Sequence, residues 1–438
     1  MKQAAERVFR ETLAAIDIPA TIERKLSLDG SIIRAGNAPI DLREYQSIVA
    51  VAYGKASYAM AQGLTRVLGL EFSPDGILVV PNVPVPPLPG WRSFVGGHPV
   101  PNAGSFAAGR AILERLSRCD ERTLIFFLIS GGGSSLVEQA LDPAVGLADF
   151  DQLNSALVTC GAPIDEINAI RKHLSATKGG RLAAAAPLSM KLTFAISDVP
   201  QGQESALASG PTLPDPSTIR DAERIAGGYK LVDKFPPAIW HTFETHSLRE
   251  TPKPGDAVFA RSHFVLLLGQ HELLHAAHHA CEAEGYFCVC DNATDNWPVE
   301  KAVDYLLAQL AVQANANPNR PVAMLCDGEL SSPVNGKGIG GRNSAFVLAS
   351  VRKIAGKKIT VLSAGTDGID GNSRAAGAAA DGETLERASS KGLDPSDFLR
   401  RSDSHTFFAR LGDAIVTGPT GNNLRDLRIL LAEPDARI

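Results

Sequence analysis

The chain is 438 residues long, 44% hydrophobic and 21% charged, with a formal net charge of −5. That length exceeds one ordinary core and predicts two domains, while the mild charge and dispersed Lys and Arg exclude the basic stripe that nucleic acid requires. No segment approaches the ~18 apolar residues that cross a bilayer. Nucleic acid and membrane are therefore not expected as partners. The six cysteines form no CxxC pair and read as reduced thiols of a cytoplasmic protein.

The opening stretch MKQAAERVFRETLAAI carries Glu6 and Glu11 and lacks an apolar core or cleavage site, so it reads as a structural helix and not a targeting peptide. Beyond it, short apolar runs alternate with helical patterns, which predicts an α/β fold of two α/β domains with mainly parallel sheets. Strands are expected at 48–52, 76–80, 124–129 and 192–196, with helices at 57–68 and 105–117 and consecutive helices over 149–186. A Pro- and Gly-rich region ending at 211–216 leads into a polar stretch that runs to about residue 254. A boundary there gives a Rossmann-like first domain over 1–240 and a second over 255–438, whose last ~15 residues are free to pack back on the first. In the second half, strands at 263–268, 287–290, 322–326 and 359–363 alternate with helices at 272–284, 299–314 and 344–354.

Three glycine-rich turns carry the chemical signal. The first, SGGGSS, holds Ser130, Gly131, Gly132, Gly133, Ser134 and Ser135 directly after an apolar strand. Consecutive glycines let backbone approach a ligand, and the hydroxyls and the following helix start favour an anion. The second, NGKGIGGRN, ends in Gly340, Gly341, Arg342 and Asn343 ahead of a helix. Arg342 there has the fork that grips a phosphate or carboxylate. The third, AGTDGIDG, places Asp367 and Asp370 at a strand end, where two carboxylates can hold Mg²⁺ beside substrate phosphates. Asp-Gly pairs are equally ordinary turn formers. Lys55, in YGKAS after the first strand, is placed to neutralise a transferring phosphoryl group. The chain has no GxxxxGK[ST] pattern, which excludes a P-loop kinase.

Two other patterns are weaker. HELLH at 271–275 matches a zinc-protease motif formally, but the extended motif's positions hold His278 and Cys281 and the helix reads as a plain crossover. The G-x-G-x-x-G through Gly336, Gly338 and Gly341 suggests a nicotinamide-dependent reductase, yet residues 327–334 separate it from its strand.

Taken in order, GKAS (54–57), GGHPVPN (96–102), SGGGSS, INAIRKHLSATKGGRLA (167–183), SDV (197–199), ASGPT (208–212), Gly328-Glu329, GKGIGGRN, AGTDGIDG and TGPTGNN (417–423) resemble the glycerate 2-kinase family, whose second half is the MOFRL domain. Some of its members carry the name hydroxypyruvate reductase. The resemblance implies ATP- and Mg²⁺-dependent phosphorylation of D-glycerate at its 2-hydroxyl in a cleft between two α/β domains, by a monomer or homodimer. It makes Lys55 and Arg342 the essential cations and Asp198, Glu329, Asp367 and Asp370 the active-site acids. Asp198 and Glu329 rest on the resemblance alone. The chain departs from the family at Leu330-Ser331, where two threonines are usual, at Asn372-Ser373-Arg374, where Pro-Thr-Asp is usual, and at Gln201-Gly202. Arg374 reverses a charge in the active loop and leaves open a related hydroxy acid, tartrate-pathway chemistry or a silent ligand-binding relative, while the family's second name keeps hydroxypyruvate reductase as an alternative. Which glycine turn takes nucleotide and which takes acid stays open.

Overall fold

The structure is a computed structural model that describes residues 1–35, 38–82, 84–199 and 202–434. Gln201, one of the departures from the family pattern, lies outside the described residues. The chain divides into two compact units, one of Ile18–Leu267 and one of Met1–Asp17 with Leu268–Ile438.

The Ile18–Leu267 unit begins with a small antiparallel sheet of β1 (Leu26–Asp29), β2 (Ile32–Ala35) and β3 (Ala38–Asp41). Its main sheet contains β4 (Ser47–Tyr53), β5 (Asp75–Pro81), β6 (Trp91–Gly96), β7 (Thr123–Ser130), β8 (Met190–Ile196) and β9 (Ser262–Leu268). They lie in the order β6-β5-β4-β7-β8-β9, with parallel pairing from β6 through β8. Counted within the sheet this is 3-2-1-4-5-6, the doubly wound order, and the chain reverses its winding between β4 and β7. Every residue of β7 is buried, as expected of a central strand covered by helices on both faces. Its Ile125, Phe127 and Ile129 pack with Val49, Val51, Ile112 and Leu116.

The consecutive helices expected over 149–186 are present as Leu147–Thr159, Ile164–Leu174 and the single turn Arg181–Ala184. They do not end the unit. Helices Ile219–Gly228 and Pro237–Glu244 bury Ile225, Ile239 and Phe243 against Phe150, Leu153 and Ile170. The polar stretch is therefore part of the first unit, and β9 completes its sheet. The expected boundary at 240–255 moves to residue 267.

In the second unit, β10 (Phe287–Cys290), β11 (Val322–Asp327), β12 (Ile359–Gly365), β13 (Gly377–Asp381), β14 (Ala414–Ile415) and β15 (Asp426–Ala432) lie in the order β10-β11-β15-β12-β13-β14. Only β10 and β11 pair in parallel; the other four pairings are antiparallel. The sheet is mixed, which corrects the expectation of a mainly parallel one. The final strand, which the sequence leaves free to pack back on the first domain, lies within this sheet. It is inserted between β11 and β12 and is buried along its whole length. The N-terminal helix Lys2–Ala15 also belongs here, tied by Arg7 to Glu284 at 2.7 Å and by Lys2 to Asp413 at 2.9 Å. Alternation along a single segment cannot report such returns, because the pairing partner is distant in sequence. Among the described residues, no helix is long and apolar enough to cross a membrane.

Candidate active site

In the first unit, three parallel strand ends bring the expected residues to one edge. β4 runs into Gly54 and Lys55, β7 into the triple-glycine turn and β8 into Asp198, with Tyr53 opposite Ile129 and Ser130 opposite Ile196. At the reversal point the Lys55 amide donates to the Gly131 carbonyl at 3.0 Å, and the Ala56 amide donates to Ser130 Oγ at 2.9 Å. Gly54 has φ +121°, and a Cβ there would stand 2.2 Å from Ser130 Oγ. Gly132 (φ +78°) faces the side chains of His98 and Lys55, with a Cβ meeting them at 3.0 and 3.3 Å. Lys55, Gly132 and His98 are thus held together where doubly wound sheets bind ligands. Ser130 is fully buried and serves the turn itself, while Ser134 and Ser135 are half-exposed. Asp198 is half-buried at the same edge.

Beside this turn lies a pocket of about 170 Å³ lined in part by His98, Gly132, Ser134, Ser135, Glu138, Asn154, Arg171 and Lys178. The last four were not singled out from the sequence. Lys178, 2% exposed, donates to Glu138 Oε2 at 2.5 Å, and Ser175 Oγ donates to Glu138 Oε1 at 2.5 Å. Arg171 donates through Nε to Asn154 Oδ1 at 3.1 Å. Burial pushes the pKa of both Lys178 and Arg171 down, and the Glu138 carboxylate opposes that shift. The available signal was the run IRKHLSATK, where four basic side chains fall within nine residues of an apolar helix end.

The second unit collects a different set. β11 and β12 end where antiparallel β15 begins, with Asp327 opposite Leu427 and Gly365 opposite Asp426. Arg342 is clasped by two carboxylates. Its Nε and Nη2 donate to Asp426 at 2.5 and 3.3 Å, and its Nη1 and Nη2 reach Glu329 at 2.8 and 2.7 Å. Burial alone would lower the Arg342 pKa, but Asp426 and Glu329 reverse this and raise it. Burial would likewise raise Asp426, yet the Arg342 charge holds it below the usual carboxylate range. Next to them Arg425 binds Asp295 at 2.6 Å and Asp327 at 3.1 Å. Four carboxylates thus face two guanidinium groups, an acidic excess. Asp426, Arg425, Asp327 and Asp295 were missed from the sequence, because only the antiparallel return of β15 carries the first two to the β11 and β12 ends. Asp367 is half-buried in this loop region, with Oδ1 accepting from the Ile369 amide at 2.9 Å.

Asp370 differs from its expected role as a metal ligand. It is 1% exposed, its Oδ1 accepts from the Asn343 amide at 2.9 Å, and its Oδ2 accepts from the Ser344 amide at 2.9 Å and from Ser344 Oγ at 2.5 Å. The positive end of helix Arg342–Ile354 is occupied by the protein's own carboxylate. Gly340, Gly341 and Asn343 therefore do not form an open phosphate cradle. A Cβ at Gly341 would lie 2.3 Å from Asp370 Oδ1, and one at Gly340 would lie 2.3 Å from Ser404 Oγ. Gly336 and Gly338 press against Arg401, Ser402 and Asp403 in the same way. Asn343 is buried and accepts from Ser363 Oγ at 2.6 Å. Asn372, one of the departures from the family pattern, bonds Gly340 N at 2.8 Å and Gly338 O at 3.1 Å, so it pins this segment. Arg374 is exposed.

Residues 4–244 match a family model described as a domain of unknown function, DUF4147, and residues 322–426 match the MOFRL family. The D-glycerate 2-kinase of Thermotoga maritima is 32% identical over 87% of this chain and 90% of its own length. An Agrobacterium vitis protein provisionally named hydroxypyruvate reductase is 37% identical over 87% of this chain and 98% of its own. A crystal structure of glycerate kinase from Thermotoga maritima superposes with a TM-score of 0.81 at 29% identity, covering 98% of this chain and 99% of that one. With both domain models in order along the chain and relatives matched over nearly its full length, this protein belongs to the glycerate 2-kinase family of DUF4147 and MOFRL domains.

Proposed function

We propose that the chain transfers the γ-phosphoryl group of ATP to the 2-hydroxyl of D-glycerate, giving ADP and 2-phosphoglycerate. The observation that carries this reading is Lys55, its backbone held at the winding reversal by the hydrogen bond that its N–H donates to the Gly131 carbonyl, and set against Gly132 and His98. A cation fixed there stabilises charge spread over the transferring phosphoryl oxygens. The glycerate kinase names of the Thermotoga maritima and human relatives, the latter 29% identical over 99% of this chain, support the substrates.

The glycerate hydroxyl oxygen forms the new bond to the γ-phosphorus, and the bond to the bridging oxygen breaks as ADP leaves. Asp198, at the end of β8, orients the hydroxyl and takes its proton. Arg342 contributes a second fixed positive charge, its direction set by Asp426 and Glu329. Mg²⁺ binds through one or two carboxylates together with waters and phosphates, and among the described residues no group of three or more His, Cys, Asp or Glu side chains is arranged to hold a metal by itself. Asp367 would hold it, and when bound the ion supplies charge neutralisation on the phosphate oxygens. Asp370 does not fit that role, because both its oxygens already accept hydrogen bonds at the helix start.

A second reading, NAD(P)H-dependent reduction of hydroxypyruvate, follows from the name of the Agrobacterium vitis relative. The glycines that suggested a dinucleotide fingerprint pack against the chain itself, which weighs against it. Incubation with ATP, Mg²⁺ and D-glycerate should yield 2-phosphoglycerate. NADH consumption on hydroxypyruvate without phosphorylated product would replace the kinase reading, and binding without turnover of either would make the chain a silent relative.

A further inference from the structure

The pocket beside the triple-glycine turn differs in charge and size from a nucleotide site. Its volume, about 170 Å³, lies below the roughly 300–1,000 Å³ typical of pockets that swallow drug-sized ligands. Two cations, Arg171 and Lys178, face one carboxylate, Glu138, which leaves a single positive charge suited to a monoanion. The two cations are not equivalent. Lys178 is buried and paired with Glu138, so it acts as a fixed wall. Arg171 gives only its Nε to Asn154, and its terminal nitrogens meet no acceptor among the described residues. Those nitrogens form the planar fork that matches a carboxylate. Ser134 and Ser135 add hydroxyls on the glycine side of the same cavity, next to Gly132 and therefore next to Lys55.

We infer that this pocket is the acid subsite: the Arg171 fork binds the substrate carboxylate, Asn154 aims it, and the Glu138–Lys178 pair shapes its floor. The triple-glycine turn thus serves the small hydroxy acid and not the nucleotide. Size and single net charge then restrict the acceptor to short monocarboxylates bearing a hydroxyl. A dicarboxylate such as tartrate would bring a second negative charge, and the other lining cation, Lys178, is already paired with Glu138. The inference deepens the glycerate kinase reading and rests on it for the identity of the acid.

Titration of the full chain by calorimetry tests this without turnover. D-Glycerate, in the presence of ADP and Mg²⁺, should bind the wild type. Arg171→Gln should weaken it at least tenfold with ADP affinity unchanged. Asn154→Asp is isosteric, leaves the fold's packing intact and cancels the net positive charge, so it should weaken the acid by a similar factor even where Arg171→Gln fails to fold. Equal D-glycerate affinity in wild type and Asn154→Asp, or a loss confined to ADP, would overturn the assignment. Absence of D-glycerate binding to the wild type would do the same. If glycerate binds and depends on Arg171 but no phosphorylated product forms, the subsite stands and the kinase reading fails.

Discussion

The two glycine-rich segments look alike in sequence and do opposite things. In SGGGSS the Gly132 backbone turns toward the side chains of His98 and Lys55 and toward an open pocket. In NGKGIGGRN the glycines at 336, 338, 340 and 341 press against Arg401, Asp403, Ser404 and Asp370, all from the same unit. Glycine permits close approach, but what approaches can be a ligand or another piece of chain. The helix ends differ likewise. Asp370 already fills the positive end of Arg342–Ile354, whereas the single turn Gly133–Leu136 has Ser134 and Ser135 lining the cavity. A glycine-rich motif before a helix therefore signals a close contact first and an anion site only if the positive end is left open.

Substitutions at the two cations should give the largest effects and should separate the units. Lys55→Ala should lower turnover by about 10²–10³-fold, the loss typical of one preorganised charge-stabilising donor, with the denaturation midpoint unchanged. Arg342→Ala should lose turnover and also cost about 3–5 kcal/mol of stability, because it removes the guanidinium bound to the buried Asp426 carboxylate. Paired steady-state kinetics and denaturant titrations check both. An Arg342→Ala variant as stable as wild type would mean that the Asp426 pair does not hold this edge together.

Next come the glycines. Gly341→Ala drives a Cβ to within 2.3 Å of the Asp370 carboxylate and should destabilise by about 2–3 kcal/mol. Gly132→Ala meets softer neighbours, and only the left-handed backbone penalty of about 1–2 kcal/mol applies; its main effect should be a raised KM for glycerate. The reverse order of stabilities would break the contrast between a packing turn and a ligand turn.

Removing the capping charge with Asp370→Asn should cost about 1 kcal/mol, the ordinary worth of an N-terminal capping group. Thermal melting of the variant would show whether this carboxylate serves the helix; full stability with lost metal dependence of activity would restore it as a ligand.

The smallest expected effect is acid sensitivity of the first unit. Glu250 is partly buried, which would raise its pKa, but hydrogen bonds from Lys253 and His173 lower it from the usual 4.5 to about 2. A carboxylate depressed on folding stabilises above its unfolded pKa, and that contribution fades as pH falls from about 4.5 towards 2. Glu250→Gln should therefore flatten the acid limb of the melting-temperature curve in that window and leave the neutral region nearly unchanged.

Local chemistry was legible wherever it depends on neighbours in sequence. Strands such as Thr123–Ser130, buried on every residue, announce themselves as unbroken apolar runs, and helix Ser57–Leu68 follows its own periodicity. Lys55 and the triple-glycine turn were readable as strand-end residues, because parallel strands deliver their ends to one edge. The roles of Arg171 and Lys178 were not, since a basic helix end resembles any solvated one until Glu138 is brought against it. Nor could Asp426 be found, because an antiparallel strand returning from the far end of the chain places it beside Arg342. Composition and spacing determined which residues could do chemistry. Only the tertiary structure decided whether each glycine or carboxylate faces a cavity or the chain itself, because that depends on contacts between segments far apart in sequence, which no local pattern encodes.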